Sequence, residues 1–216
     1  MEDSDTAGRV DWDSIEELPS HEYLVPAALR WVEHFAPKRL LDLGCGDGRL
    51  SAELAQGDSA VTGLDFSTVG IARARERHPE VAFIAQSLAV PLPEEHQGQF
   101  DMVTAIEVIE HLLLPRQLFV RAREALGHDG WLLITTPYHG YFKNVALALA
   151  GKWDHHHDVL LDYGHVKFFS RSSLGAMAHQ MGFEVVNFER VGRIPPLAAS
   201  MVVVLRPRSG DGTTVV

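Results

Sequence analysis

The chain has 216 residues, 46% hydrophobic and 22% charged, with a formal net charge of −10. That length and apolar content suit one α/β domain with a sizeable core and exclude a second full domain. Residues 1–17 carry seven acids against one arginine, so the remainder is only mildly acidic and offers no basic stripe to neutralise a polyanion, which speaks against nucleic acid as a partner.

In chain order, residues 1–13 are acidic and weakly patterned and read as a mobile tail, with a second tail at 209–216. Between them, residues 14–208 form the expected domain. Ile15 to Phe35 places apolar residues at helical spacing until Pro37, a helix expected to cap the ligand side. Strands are expected near 39–44, 60–65, 81–86, 100–106 and 130–136, with helices near 48–56, 67–77 and 115–127. This alternation predicts a doubly wound, Rossmann-like parallel sheet. An irregular insertion or lid follows at about 138–169. Arg171 to Gly182 then reads as a helix, and Phe183–Val191 and Met201–Leu205 as two final strands. Ligands of such sheets bind beyond the carboxyl ends of the strands, so chemistry is expected after strands one, two, four and five.

Compartment follows from two observations. Cys45 is the lone cysteine and has no intramolecular disulfide partner, which suits a reducing cytoplasm. No basic start leads into a long apolar run, and nothing approaches the ~18 apolar residues of a spanning helix, so a soluble cytoplasmic protein is expected.

The densest chemical signal is the first strand, Leu40, Leu41, Asp42 and Leu43, running into Gly44, Cys45, Gly46, Asp47 and Gly48. Three glycines at every second residue build a tight turn in which a ligand can meet open main-chain N–H groups. A dinucleotide loop would need its third glycine one residue later, where Arg49 stands. Some twenty residues beyond the first glycine, a second strand ends in Asp65, a carboxylate suited to vicinal ribose hydroxyls. The ligand so described has a ribose and no pyrophosphate.

After strand four, Glu107, Glu110 and His111 come within five residues and share a face if the chain turns helically there. An imidazole can remove a proton from a hydroxyl nucleophile, and a divalent cation can lower that hydroxyl's pKa. Local capping of the next helix is the plainer reading of the same residues. His155, His156 and His157 are adjacent and flanked by Asp154 and Asp158, a solvated loop or lid rather than one metal site. Tyr138, His139, Tyr141, Phe142 and Trp153 give the insertion an aromatic character suited to a substrate lid or to simple packing.

These motifs resemble the class I S-adenosylmethionine (SAM) dependent methyltransferases over roughly residues 38–208. The resemblance implies that Asp42, Gly44, Cys45, Gly46 and Gly48 cradle the methionine part of SAM, that Asp65 holds the ribose, and that Phe66, Ser87 and Leu88 lie around the adenine. It also implies a seven-stranded sheet whose last strand runs antiparallel between its neighbours. Two departures stand out. Ala85 to Leu88 lacks the acid many relatives place near the adenine, leaving Gln86, a serine hydroxyl and main chain, and Leu112–Pro115 makes that wall of the acceptor pocket apolar.

Within that class, Glu107 to His111, Asn144 to Gly151 and Gly164 to Phe168 are similar to the ubiquinone-biosynthesis O-methyltransferases, which methylate catechol-type hydroxyls and commonly use a divalent metal. The implied role of His111 is base or metal ligand, with Glu107 and Glu110 beside it, and at most weak membrane-surface contact. The same motif with a distal histidine also resembles small-RNA 3′-terminal 2′-O-methyltransferases, which implies Glu107, Glu110, His111 and His165 as ligands of Mg2+ or Mn2+. A third expectation is a non-catalytic SAM-binding interaction protein. The acceptor's identity and the oligomeric state are not legible in the sequence.

Overall fold

The computed structural model describes residues 20–55, 57–154, 164–194 and 197–208. The two tails and His155–His157 therefore lie outside the described residues, as does the start of the first expected helix.

Seven strands form one sheet: β1 (Arg39–Leu43), β2 (Ala60–Asp65), β3 (Ala82–Ala85), β4 (Phe100–Ile106), β5 (Leu126–Pro137), β6 (Phe183–Val191) and β7 (Ser200–Pro207). Their order is β3-β2-β1-β4-β5-β7-β6. β1 to β5 run parallel, while β7 is antiparallel to both β5 and β6, as expected for the last strand. Strand order reverses between β1 and β4, which opens a crevice beyond their carboxyl ends.

Among the described residues, six α-helices flank the sheet: α1 (His21–Phe35), α2 (Arg49–Leu54), α3 (Thr68–Arg77), α4 (Arg116–Ala125), α5 (Tyr141–Leu149) and α6 (Arg171–Gln180). Alternation along the strands sorts the core into two layers. Leu40, Met102, Leu133, Val202 and Val204 face Leu24 and Ala27 of α1, Leu54 of α2 and Ile71 and Ala74 of α3. Leu41, Val103, Leu132, Val203 and Leu205 face Leu118 and Phe119 of α4 and Leu174 and Ala178 of α6. β1 and β4 are buried almost throughout, which is why they read as continuous apolar runs.

Helix ends follow local chemistry. The Ser67 hydroxyl accepts from Gly70 N at 3.0 Å to start α3, and Ser170 and Ser173 form a reciprocal capping box on α6. α1 continues through Pro26 and closes on Ala36, which adopts left-handed backbone before Pro37.

Two expectations are corrected. β5 begins at Leu126 rather than 130, because Leu126 pairs with Phe100 across a register shift in β4. The insertion is not irregular throughout, since Tyr141–Leu149 forms α5. No described helix is long and apolar enough to cross a membrane.

Candidate active site

The glycine loop joins β1 to α2 through three residues at positive φ, Gly44 (79°), Gly46 (56°) and Gly48 (81°). Gly44 N and Cys45 N both donate to Leu64 O, so the loop is stitched to β2. A Cβ on Gly44 would lie 2.5 Å from Val108 Cγ2, and one on Gly48 would lie 2.6 Å from the Phe83 ring. These glycines therefore also make room for the turn after β4 and for β3. Gly63, which the sequence reading did not single out, does the same for Phe83 and the Cys45 thiol.

Asp65 ends β2 at the crevice. Its Oδ2 accepts from Gly46 N at 3.0 Å and its Oδ1 from Ser67 N at 2.8 Å, so one carboxylate fixes the glycine loop and the start of α3 together. Burial pushes its pKa above the ordinary carboxylate range, and those N–H donors pull the other way. Asp42, at 1% exposure, accepts from Ser51 Oγ at 2.7 Å and Thr104 Oγ1 at 2.8 Å, pinning β1 to α2 and β4. Cys45 is buried, and desolvation, with Asp42 and Asp65 nearby, pushes its thiol far up.

At the β2 and β3 ends, Phe66 is 62% exposed on the rim, Ser87 Oγ accepts from Ala89 N, and Leu88 packs partly against the core. The Gln86 side-chain nitrogen donates to the carbonyls of Val90 and Pro91.

Beyond β4 the chain bends sharply. Glu107 has φ 54°, one of two non-glycine residues at positive φ among the described residues, and its N–H donates to Thr135 Oγ1 at 3.0 Å. Thr135 Oγ1 in turn donates to Glu107 Oε1 at 2.9 Å. Ile109–His111 then makes a 3-10 turn that presents Glu110 and His111. Glu110 is 0% exposed, and no donor among the described residues meets its carboxylate with good hydrogen-bond geometry, although the Thr136 hydroxyl lies close enough to favour its charged form. Its main-chain carbonyl accepts from Val166 N and Lys167 N, which anchors the segment carrying His165. His165 Nε2 stands 3.9 Å from Glu110 Oε1, and the rings of His111 and His165 meet at 4.8 Å between centroids.

One ligand atom each from Glu110, His111 and His165 can be enclosed within 4.8 Å. Glu107 is not in that trio, contrary to expectation, its carboxylate accepting from Thr135 Oγ1 with the Ser200 hydroxyl nearby. Burial raises the pKa of both glutamates, and the charge of Glu107 raises that of Glu110 further.

The chain matches the methyltransferase-domain family over residues 20–187. It belongs to that family. The ubiquinone biosynthesis O-methyltransferase of Bordetella avium is 32% identical over 186 residues, covering 80% of this chain and 75% of the relative. That of Pseudomonas aeruginosa is 31% identical over 186 residues, with 81% and 78% covered. Among solved structures, magnesium protoporphyrin IX methyltransferase from Synechocystis PCC 6803 with bound SAH aligns with TM-score 0.64 at 19% identity, covering 86% and 82% of the two chains. The methyltransferase domain of bacterial CtHen1-CN aligns with TM-score 0.61 at 21% identity, covering 84% and 96%. The protein is thus a SAM-dependent methyltransferase on a class I fold, and the expectation of a non-catalytic binding protein is set aside.

Several groups around the methyltransferase's crevice escaped the sequence reading. Thr135 and Ser200 are ordinary strand residues by pattern, yet Thr135 bonds the Glu107 carboxylate and the Ser200 hydroxyl lies near both that carboxylate and Tyr23 of α1. Lys143 is buried on α5 with Nζ donating to Ala199 O at 3.3 Å. No local signal marks these contacts, since each depends on how distant elements meet. A separate cleft of about 610 Å³, lined by Tyr138, Tyr141, Arg171 and Phe188, lies over β6 and β7.

Proposed function

We propose that the methyltransferase moves the methyl group of SAM to a hydroxyl of a small catechol-like or quinone-like acceptor, beside a divalent cation held by Glu110, His111 and His165. The observation that carries this reading is Glu110, a fully buried carboxylate with no well-formed hydrogen bond among the described residues, the Thr136 hydroxyl near it and two imidazoles within ligand distance. A buried carboxylate so weakly satisfied is costly, and a cation is the natural complement of this donor set. Oxygen and imidazole together suit Mg2+ or Mn2+, with the histidines favouring the latter. The O-methyltransferase activity of the B. avium and P. aeruginosa relatives agrees with an oxygen acceptor.

In this reading the open N–H groups of the glycine loop meet the methionine part of SAM, and Asp65 accepts from the ribose hydroxyls. Phe66, Ser87 and Leu88 border the adenine, and Glu107 lines the floor between cofactor and acceptor. A bound cation lowers the pKa of an acceptor hydroxyl. The acceptor oxygen forms its bond to the methyl carbon as the carbon–sulfur bond breaks, so the chain's main task is to hold the two in line. Without a cation, the His111 imidazole is the group placed to take the hydroxyl proton.

The test is methylation of a catechol panel in EDTA, then with Mg2+ or Mn2+ restored. Activity should disappear with EDTA and return with metal. Full turnover in EDTA together with an unaffected His111→Ala variant would remove both roles given to that residue.

A second reading uses the same trio on the 2′-hydroxyl of an RNA 3′ end, and the arrangement of Glu110, His111 and His165 is what favours it. The net charge of −10 weighs against a polyanionic acceptor. Methylation of short RNA 3′ ends with steep salt dependence would put this reading first.

A further inference from the structure

α5 keeps its apolar side outside the fold. Tyr141, Phe142, Val145, Ala146 and Leu149 are exposed, the four larger ones by between 38% and 85%, and none of the helix's apolar side chains enters either layer of the core. Its one charged residue, Lys143, is turned inward instead, with Nζ donating to Ala199 O. No strand or other helix among the described residues packs broadly against α5. A nine-residue helix is too short to be stable by itself in water and depends on the packing of an apolar face, which here has no cover within the chain's described residues.

The exposed side has the form of a helix-packing seam. Phe142, Val145, Ala146 and Leu149 fall at i, i+3, i+4 and i+7, so they make one stripe along two turns. Large side chains stand at both ends of the stripe and smaller ones in the middle. An antiparallel copy, related by a two-fold axis between Val145 and Ala146, would set Phe142 against the partner's Leu149 and Val145 against the partner's Ala146. The small central pair lets the backbones approach, and the bulky ends close over them. The exposed parts of these side chains with Tyr141 amount to about 600 Å² per chain, hence roughly 1,200 Å² in a pair, the area at which specific interfaces begin.

Charge narrows the choice of partner. The stripe itself is uncharged, and over residues 141–152 the only cation on the surface is Lys152. An anionic bilayer would find little to attract it here, the more so with a net charge of −10. An acidic segment, such as the first 17 residues of the chain, has no cationic face on α5 to dock upon. A surface of the same neutral, apolar kind is the matching partner, and a second α5 supplies it.

We infer that α5 is an interface between two copies of this chain, paired antiparallel about a two-fold axis beside Ala146. Such an interface is isologous, the same patch serving on both chains, and it closes at two. It is independent of the acceptor, and its failure would leave the methyltransferase reading untouched.

The test is sedimentation of the full chain at micromolar concentration, the weak end of the affinities that interfaces of modest area reach. The wild type should sediment as a dimer. Ala146→Glu and Ala146→Lys each place like charges next to the axis and should weaken dimerisation at least tenfold with an unchanged melting temperature. Mixed in equal amounts, the two variants should recover the dimer as a hetero-pair. Independently, Val145→Cys should form a disulfide-linked dimer under mild oxidation, and Glu76→Cys on the exposed side of α3 should not. A monomeric wild type overturns the inference, whether it stays free in solution or binds vesicles of anionic phospholipid through α5. So does a dimer that neither charge variant disturbs, or a mixture of the two variants that remains monomeric.

Discussion

Two carboxylates near the crevice illustrate how differently single residues in one site are used. Asp65 is tied by Gly46 N and Ser67 N yet lies at the strand end where a ribose would arrive. Asp65→Ala should weaken S-adenosylhomocysteine binding by tenfold or more in calorimetry, through lost ribose contacts and a loosened loop, and unchanged affinity would remove the ribose assignment. Glu110, in contrast, is buried with no well-formed hydrogen bond to its oxygens among the described residues. Adding Mn2+ should raise the melting temperature of the wild type in proportion to occupancy and leave Glu110→Gln unmoved, because a ligand stabilises only the fold that binds it. In EDTA the order should reverse, with Glu110→Gln melting at or above the wild type, since the amide avoids burying an unpaired charge. Equal metal-induced shifts in the two proteins would rule out Glu110 as a ligand.

At the level of elements, the glycine loop and the turn after β4 behave as one unit, because Val108 fills the space a Cβ on Gly44 would occupy. Gly44→Ala should cost roughly 1–2 kcal/mol for the left-handed backbone alone, and the clash with Val108 should add to it. Val108→Ala in the same chain should recover part of the lost stability and cofactor affinity in urea unfolding and calorimetry. A double variant no better than the single one would show that the two segments do not share this contact. Such a loop is legible in sequence because its constraint is local: strand, positive φ and helix start all fall within eleven residues. β4, β6 and the Glu107–His111 turn were legible for the same reason. α5 was not, because apolar spacing identifies a helix without saying which face turns inward, and the inward face here is the polar one. The early start of β5 was hidden because Leu126 belongs by spacing to α4 and by pairing to Phe100. Asp42 sits inside the legible motif, yet its direction depends on Ser51 and Thr104, nine and sixty-two residues away.

For the whole molecule, the same Asp42 links site architecture to stability against pH. It joins β1, α2 and β4 at the point where strand order reverses, so it holds together the elements between which the crevice opens. Burial raises its pKa from 3.8 to about 6 despite the two hydroxyl donors, and the neighbouring Asp65 pushes in the same direction. The folded state therefore binds the proton more tightly than the unfolded chain. The stabilisation from that proton is fully present below pH 3.8 and is lost as pH rises through about 6. The full change amounts to about 3 kcal/mol, a large part of a typical domain's stability. Asp42→Asn removes this titration while keeping one acceptor for the hydroxyls of Ser51 and Thr104. Urea midpoints measured at pH 4.5 and pH 7 should therefore show the variant gaining on the wild type as pH rises, by more than 1 kcal/mol between those two values. Parallel pH profiles for the two proteins would mean that Asp42 titrates alike folded and unfolded, and the stability of the crevice would then have to be traced to packing alone.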